Sequence, residues 1–324
     1  MSTITRPPEA RTAPAPITRR TGTYKGRLNR SAYAMLAPGL IIFFLFILLP
    51  IGYTLYLSFQ RIERKGLGLG EGGVEVVFAG LSNYTRVLAN PEFLASSGRA
   101  LIFAILLVPT VMVLALLFAL SLDTRRVRGG GAFRLLIFLP FAVPAVIGSL
   151  MWAFLYIPAM SPIYQVFDLV GWTDVPSLLS GNLVMFAIVN IGFWGGVGFN
   201  MTVLYTSLRA IPTDIYEAAR IDGASEVQIA LRIKIPGITP ALVMTTLFAV
   251  IAVLQVYGEP TTLKPLTSAI SSTWSPLMFV YRLAFTEGDI YAGSAASIVI
   301  ALITLVLSFV ALRAVQRRAF AQED

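Results

Sequence analysis

Cysteine and histidine are both missing from the 324 residues of this chain. Without cysteine there are no disulfides and no thiolate metal sites. Without histidine the commonest metal ligand and general base are gone as well. Charge is scarce too, with 13% of residues charged against 56% hydrophobic, whereas a soluble domain carries roughly a quarter charged residues to hydrate its surface. A nucleotide-binding phosphate loop, G-x-x-x-x-G-K-S/T, is lacking, because no Gly-Lys-Ser/Thr occurs anywhere. The run Gly129 to Gly131 has no lysine after it and reads as a flexible connection. No cluster of acidic residues stands near an apolar run, as a membrane-embedded enzyme would need. Together these absences argue against an enzyme and against ATP hydrolysis by this chain alone.

What the chain does have is long apolar runs. Ala34 to Phe59 carries no charged side chain, and about 20 such residues suffice to cross a bilayer. Six spans are predicted, near 34–59, 99–122, 134–158, 182–208, 237–257 and 291–312. The fold class is therefore an all-α membrane protein, with a transmembrane domain over 25–324. Residues 1–24, rich in Pro, Thr, Arg and Ala, read as a disordered tail. The tail lacks the short apolar core and small-residue cleavage site of a signal peptide, and is expected to be retained. Pro109, Pro140 and Pro144 fall inside spans, where neighbouring groups can re-satisfy freed carbonyls. Gly192, Gly195, Gly196 and Gly198 in the fourth span would let another helix approach closely, or let this one break locally.

The net charge of +8 does not point to nucleic acid, because the basic residues flank apolar runs instead of forming a stripe with interleaved aromatics. With the amino terminus inside, 18 of the 25 Lys and Arg fall on one side. The other side keeps Arg61, Arg64, Lys65, Arg86, Arg99, Lys264 and Arg282. Basic residues favour the cytoplasmic side, so both termini are expected there. A carrier driven by an ion gradient usually places an ionisable group within the bilayer. Here every Asp and Glu lies in a loop, a tail or at a span edge, with Glu259 and Asp123 closest. Sodium held by backbone carbonyls at a broken helix remains open as an ion-coupled alternative.

The loop 209–236 reads RAIPTDIYEAARIDGASEVQIALRIKIP and is long for a simple turn. Its signals predict two short helices. Asp214 and Glu217 are spaced to cap the first, and Ser225 and Gln228 the second. Gly223 separates them as a residue able to take positive φ. Pro236 is expected to stop the second helix, and Thr239-Pro240 to open span five. Ala218, Ala219 and Ala224 between charges suit a docking helix; a solvated connector is the plainer alternative.

This loop resembles the EAA motif of binding-protein-dependent ABC importer permeases, E-A-A-x3-G-x9-I-x-L-P. The chain has Glu217-Ala218-Ala219, Gly223 and then Ile233-Lys234-Ile235-Pro236 at that spacing, with isoleucine for the leucine. Over roughly 30–315 the chain looks most like the carbohydrate branch, which includes maltose-type and glycerol-phosphate-type permeases. The fragments Ala37-Pro38-Gly39, Ser58-Phe59, Gly80-Leu81-Ser82-Asn83-Tyr84, Phe138-Leu139-Pro140 and Ile221-Asp222-Gly223-Ala224 carry that likeness. The glycine and asparagine often found after span three are missing around 158–168. The amino-acid branch shares the core motif and is the nearest competitor.

The resemblance implies a type I ABC importer permease fold in a bacterial or archaeal plasma membrane. It implies a second permease subunit, two ATP-binding subunits that hold ATP and Mg, and an extracytoplasmic solute-binding protein. Glu217, Ala218, Ala219, Asp222, Gly223 and Ala224 would form the coupling helix gripped by an ATPase subunit. A sugar-like solute needs amides, hydroxyls and aromatic faces near mid-membrane. Asn190, Trp194, Asn200, Gln255 and Tyr257 are the expected contacts, although transmembrane amides also serve helix packing.

Overall fold

A computed structural model describes residues 30–64, 74–124, 129–172 and 174–320, so the expected disordered tail lies outside the described residues. The chain divides into two units, Met1–Ile51 and Gly52–Asp324. The first holds helix α1 (Arg30–Phe43) and a π-helical turn, Phe44–Leu48, and the division falls within α2 (Leu49–Ser58). In the second unit α2 is followed by an antiparallel hairpin, β1 (Gln60–Arg64) with β2 (Val74–Phe78), in which Gln60 faces Phe78 and Arg64 faces Val74. After it come α3 (Ser82–Leu88), α4 (Pro91–Leu122), α5 (Gly130–Ala142), α6 (Ala145–Tyr156), α7 (Pro162–Leu169) and α8 (Leu183–Arg209). The chain continues as α9 (Thr213–Ile221), α10 (Glu226–Ile229), α11 (Ile235–Gly237), α12 (Thr239–Leu254), α13 (Gly258–Leu263), α14 (Pro276–Tyr281) and α15 (Ile290–Phe320).

Among the described residues five helices are long and apolar enough to cross a membrane: Tyr33–Ser58, Pro91–Leu122, Leu183–Arg209, Thr239–Leu266 and Ile290–Val310. These match five of the six expected spans. The third expected span is not one rod: α5 and α6 are bent by 95° at a break over Val143 and Pro144. Pro144 has no N–H to continue the ladder, and Val143 before it is pushed to extended backbone. The second span starts earlier than its apolar run suggests. Asn90 Oδ1 accepts from the amides of Glu92 and Phe93, Pro91 fills the first turn, and the charged residues Glu92 and Arg99 ride on the same helix.

The core of the second unit forms where α4 packs on α8, with α12 against α4 and α5 against α8. Phe103, Leu107, Val111, Ala115 and Ala119 make a ridge at four-residue spacing on α4, and it meets Ile188, Ile191, Met201 and Leu204 of α8. The glycines of α8 permit this closeness, and the helix runs through them unbroken. A Cβ added at Gly198 would stand 2.3 Å from the carbonyl oxygen of Ile137 on α5. The opposite face of α4 exposes Leu101, Ile105 and Leu117, an apolar surface that water would not tolerate at this extent. A second cluster joins Val87 of α3, Phe93 of α4 and Phe279 of α14 to Ala292, Ala295 and Ala296 of α15. The hairpin is held by buried Asn83, whose amide donates to the carbonyls of Ser58 (2.9 Å) and Gln60 (2.7 Å).

Candidate functional site

Two groups of residues carry the functional expectations, the loop 209–236 and a pair of cavities between α4, α5, α8, α12 and α13. In the loop, α9 ends as the sequence foretells. Gly223 takes φ +83°, its amide bonds Arg220 O, and the amide of Ala224 bonds Ala219 O. This is the double closure of a Schellman cap, which needs the left-handed residue that glycine supplies. Ser225 and Gln228 form the reciprocal capping box at the head of α10. Arg220 Nε donates to Glu226 Oε1 at 2.8 Å, closing the turn between the helices. That hydrogen bond is the largest influence raising the Arg220 pKa above its usual value.

Three local expectations are corrected here. Asp214 does not cap α9; Pro212 occupies the cap position and Asp214 lies in the first turn. There its charge still favours the positive helix end. Pro236 does not stop the second helix. The backbone stays helical through a π turn, Ala230–Lys234, into α11. A π turn loosens the ladder ahead of a ring that can neither donate nor fit an ordinary turn. The turn Phe44–Leu48 stands in the same position relative to Pro50. Thr239 caps nothing; its hydroxyl donates back to Ile235 O at 3.2 Å.

The loop has two unlike faces. Tyr216, Ile229 and Lys234 are buried, while Ile215, Glu217, Ala218, Ile221, Asp222, Gly223 and Val227 are exposed, Ile221 by 86%. The Lys234 ammonium lies 2.6 Å from Asp123 Oδ2 at the end of α4, and 5.1 Å from the centre of the Tyr216 ring. Burial raises the Tyr216 pKa, the Asp123 charge adds to that shift, and Arg209 opposes it. Neither Lys234 nor Asp123 is marked as a pair by sequence, because 111 residues separate them.

One cavity of about 450 Å³ gathers Asn200, Gln255 and Tyr257, three of the expected solute contacts. Phe141 and Phe199 stack at 4.9 Å on its wall. A second cavity of about 460 Å³ adjoins it and is lined by Trp194. Glu259, read from sequence only as a span-edge residue, lines both. Asn190 lines neither of these two. Its amide donates to the Tyr156 hydroxyl at 2.8 Å, and that hydroxyl donates to Ala187 O. Asn190 thus ties α8 to α6, as transmembrane amides often do. A larger, charged cleft of about 670 Å³ lies by the hairpin and the head of α15, lined by Arg61, Glu63, Arg86, Glu287 and Asp289. It holds none of the expected contacts. No group of three acidic residues that could hold a metal occurs among the described residues.

No protein-family model matches the chain. Its fold is similar to a chain in the crystal structure of a bacterial ABC transporter involved in the import of the acidic polysaccharide alginate. The TM-score is 0.77 at 20% identity, covering 90% of this chain and 96% of that one. The same holds for that transporter in complex with an alginate pentasaccharide-bound periplasmic protein, with TM-score 0.74. The architecture is thus one shared with a chain of that ABC transporter. In sequence the chain is 32% identical to the trehalose/maltose transport system permease protein MalF of Thermococcus litoralis, over 89% of this chain and 94% of that protein. It is 28% identical to the sn-glycerol-3-phosphate transport system permease protein UgpA of Pectobacterium atrosepticum, over 88% and 94%. The chain belongs to the family of ABC importer permeases for sugars and glycerol phosphate.

Proposed function

We propose that this chain forms half of the translocation pathway for a sugar or sugar-like solute, and that the loop 209–236 couples it to ATPase subunits. The observation that carries this reading is the two-faced loop. Its inner face is fastened to the bundle by Tyr216 and Lys234, while Glu217, Ile221 and Gly223 lie on an exposed outer face. Exposed apolar side chains beside a carboxylate on a short, well-capped helix fit a groove on a partner. The distribution of lysine and arginine puts this loop and both termini in the cytoplasm of a bacterial or archaeal cell. ATP and Mg are held by two partner subunits, and a second permease completes the pathway. An extracytoplasmic binding protein delivers the solute. In the cavity, Asn200, Gln255 and Tyr257 supply the hydrogen bonds, and Trp194 with the Phe141–Phe199 pair supplies the apolar faces. Asn190 holds α8 against α6 behind them.

The test begins with co-purification of the partners and a ligand screen on the binding protein that comes with them. Glu217→Lys is then compared with the native complex in proteoliposomes. Insertion is expected to persist while ATP-dependent uptake is lost. Normal uptake by Glu217→Lys would remove the coupling assignment.

A further inference from the structure

The two cavities share Phe141, Ala145, Gly192, Gly196 and Glu259, so Glu259 stands where they meet. It sits in the first turn of α13, a short helix packed on α6 and α8. It is half-buried, and among the described residues it makes no ion pair or hydrogen bond. No lysine or arginine lines either cavity. The remaining polar side chains of the cavity that gathers Asn200, Gln255 and Tyr257 are uncharged: the two amides and the phenol. An ionisable residue at the edge of a span that faces a cavity between helices is a candidate for function.

We propose that Glu259 sets the charge class of the solute, admitting neutral polyhydroxy compounds and turning away phosphate monoesters and uronates. This rests on the sugar-pathway reading above. A carboxylate accepts hydrogen bonds from sugar hydroxyls, which donate without bringing a charge of their own. An anionic solute brings a like charge into a site with apolar walls, where screening by water is weak. Selectivity built on such a repulsion needs no additional favourable contact for the accepted solute. The uncharged donors nearby cannot neutralise a phosphate, which is recognised elsewhere by arginine or lysine.

Because the chain has no cysteine, a single thiol reports the local field directly. Ala252 lines the same cavity and is exposed, so Ala252→Cys is introduced into the full complex. Its reaction with a cationic and an anionic methanethiosulfonate is followed by mass spectrometry of this chain. The cationic reagent is expected to be favoured about tenfold relative to a free thiol in the same buffer, as a nearby carboxylate in a poorly screened site dictates. Glu259→Gln should abolish that preference and Glu259→Asp should keep it. An unchanged ratio in Glu259→Gln would overturn the proposal while leaving the sugar-pathway reading intact. In parallel, native proteoliposomes are offered trehalose, maltose, sn-glycerol 3-phosphate and a uronate oligosaccharide. Uptake of a neutral sugar without uptake of either anion is expected. Uptake of an anion at the neutral sugar's rate overturns the charge assignment alone, whereas uptake of none by a complex that hydrolyses ATP overturns the sugar-pathway reading as well.

Discussion

Lys234 Nζ meets Asp123 Oδ2 at 2.6 Å, with the two side chains only 6% and 4% exposed. Asp123 occupies the C-cap of α4, the end of a 32-residue helix where the macrodipole is negative and a carboxylate is unwelcome. Lys234 removes that conflict and brings the π turn before Pro236 with it. Burying two charges is expensive, and removing one partner strands the other. Lys234→Met and Asp123→Leu should each lower stability by about 3–5 kcal/mol, while the two combined should recover most of the loss. Thermal unfolding of the purified chain in detergent, arranged as a double-mutant cycle, reads this. Additive losses in the double variant would show that the two residues do not act as a pair.

Tyr216 faces the same ammonium, and its pKa is raised, chiefly by burial and further by Asp123. A raised folded-state pKa means that deprotonation disfavours the folded loop. Its contribution to stability is therefore complete below the unfolded tyrosine value of about 10 and is lost as pH climbs from there through the folded value. Stability measured between pH 8 and 11, as a range of about three units around that value, should fall more steeply in the native chain than in Tyr216→Phe. Parallel curves would argue against this role for the phenol.

Gly198 and Gly195 give opposite expectations three residues apart. A methyl at Gly198 would press on Ile137 O at 2.3 Å, a backbone atom with no rotamer to yield, whereas nothing lies within 4 Å of the Cβ position at Gly195. Gly198→Ala should destabilise by about 1–3 kcal/mol through overpacking. Gly195→Ala should be neutral or gain up to about 1 kcal/mol from helix propensity. The melting temperatures of the two variants, side by side, decide it.

Gly223 tests the capping geometry of the loop 209–236. At φ +83° with open space around it, Gly223→Ala should cost about 1–2 kcal/mol from left-handed backbone alone. Gly223→Asn should lose less, because asparagine tolerates that region. Protease sensitivity of the loop would rank the three chains in the order Ala, Asn, Gly from most to least cleaved. Equal cleavage of all three would count against a cap at this position.

Asn190 separates packing from binding. Asn190→Ala removes the 2.8 Å bond to Tyr156, which should lower stability by about 1 kcal/mol or somewhat more, since the buried hydroxyl loses its donor. Asn200→Ala, in contrast, should weaken uptake of a transported sugar more than it weakens the fold. Uptake that fell equally in both would return Asn190 to the pathway.

Apolar runs made the spans legible because burial in lipid demands uninterrupted hydrophobic length. Five of them stand as expected, yet Glu92 and Arg99 concealed the first turns of α4, since helix continuity there is set by the Asn90 cap and not by hydropathy. Cap chemistry at Gly223 and Ser225 was readable because it depends on residues within six positions of each other. The hairpin was not, because β pairing of Gln60–Arg64 with Val74–Phe78 has no clean alternation behind it. Of the candidate solute residues, Asn200, Gln255 and Tyr257 converge, while Asn190 turns to Tyr156. Polarity within a span identifies the residue but not its direction, and only packing assigns that. Lys234 and Asp123 are an extreme of the same kind, since a charge in sequence looks solvated until its distant partner is in place.

The 95° bend between α5 and α6 interrupts the helical ladder within one expected span. A helix that stops inside a bilayer leaves its last carbonyls and the next helix's first amides without intrahelical partners, and lipid offers them none. Phe141, Ala142, Val143, Pro144 and Ala145, the corner itself, all line the cavity that Trp194 shares. The interrupted backbone thus faces a chamber and not lipid, so the polar groups freed at the corner can be met by the protein or by what the chamber admits.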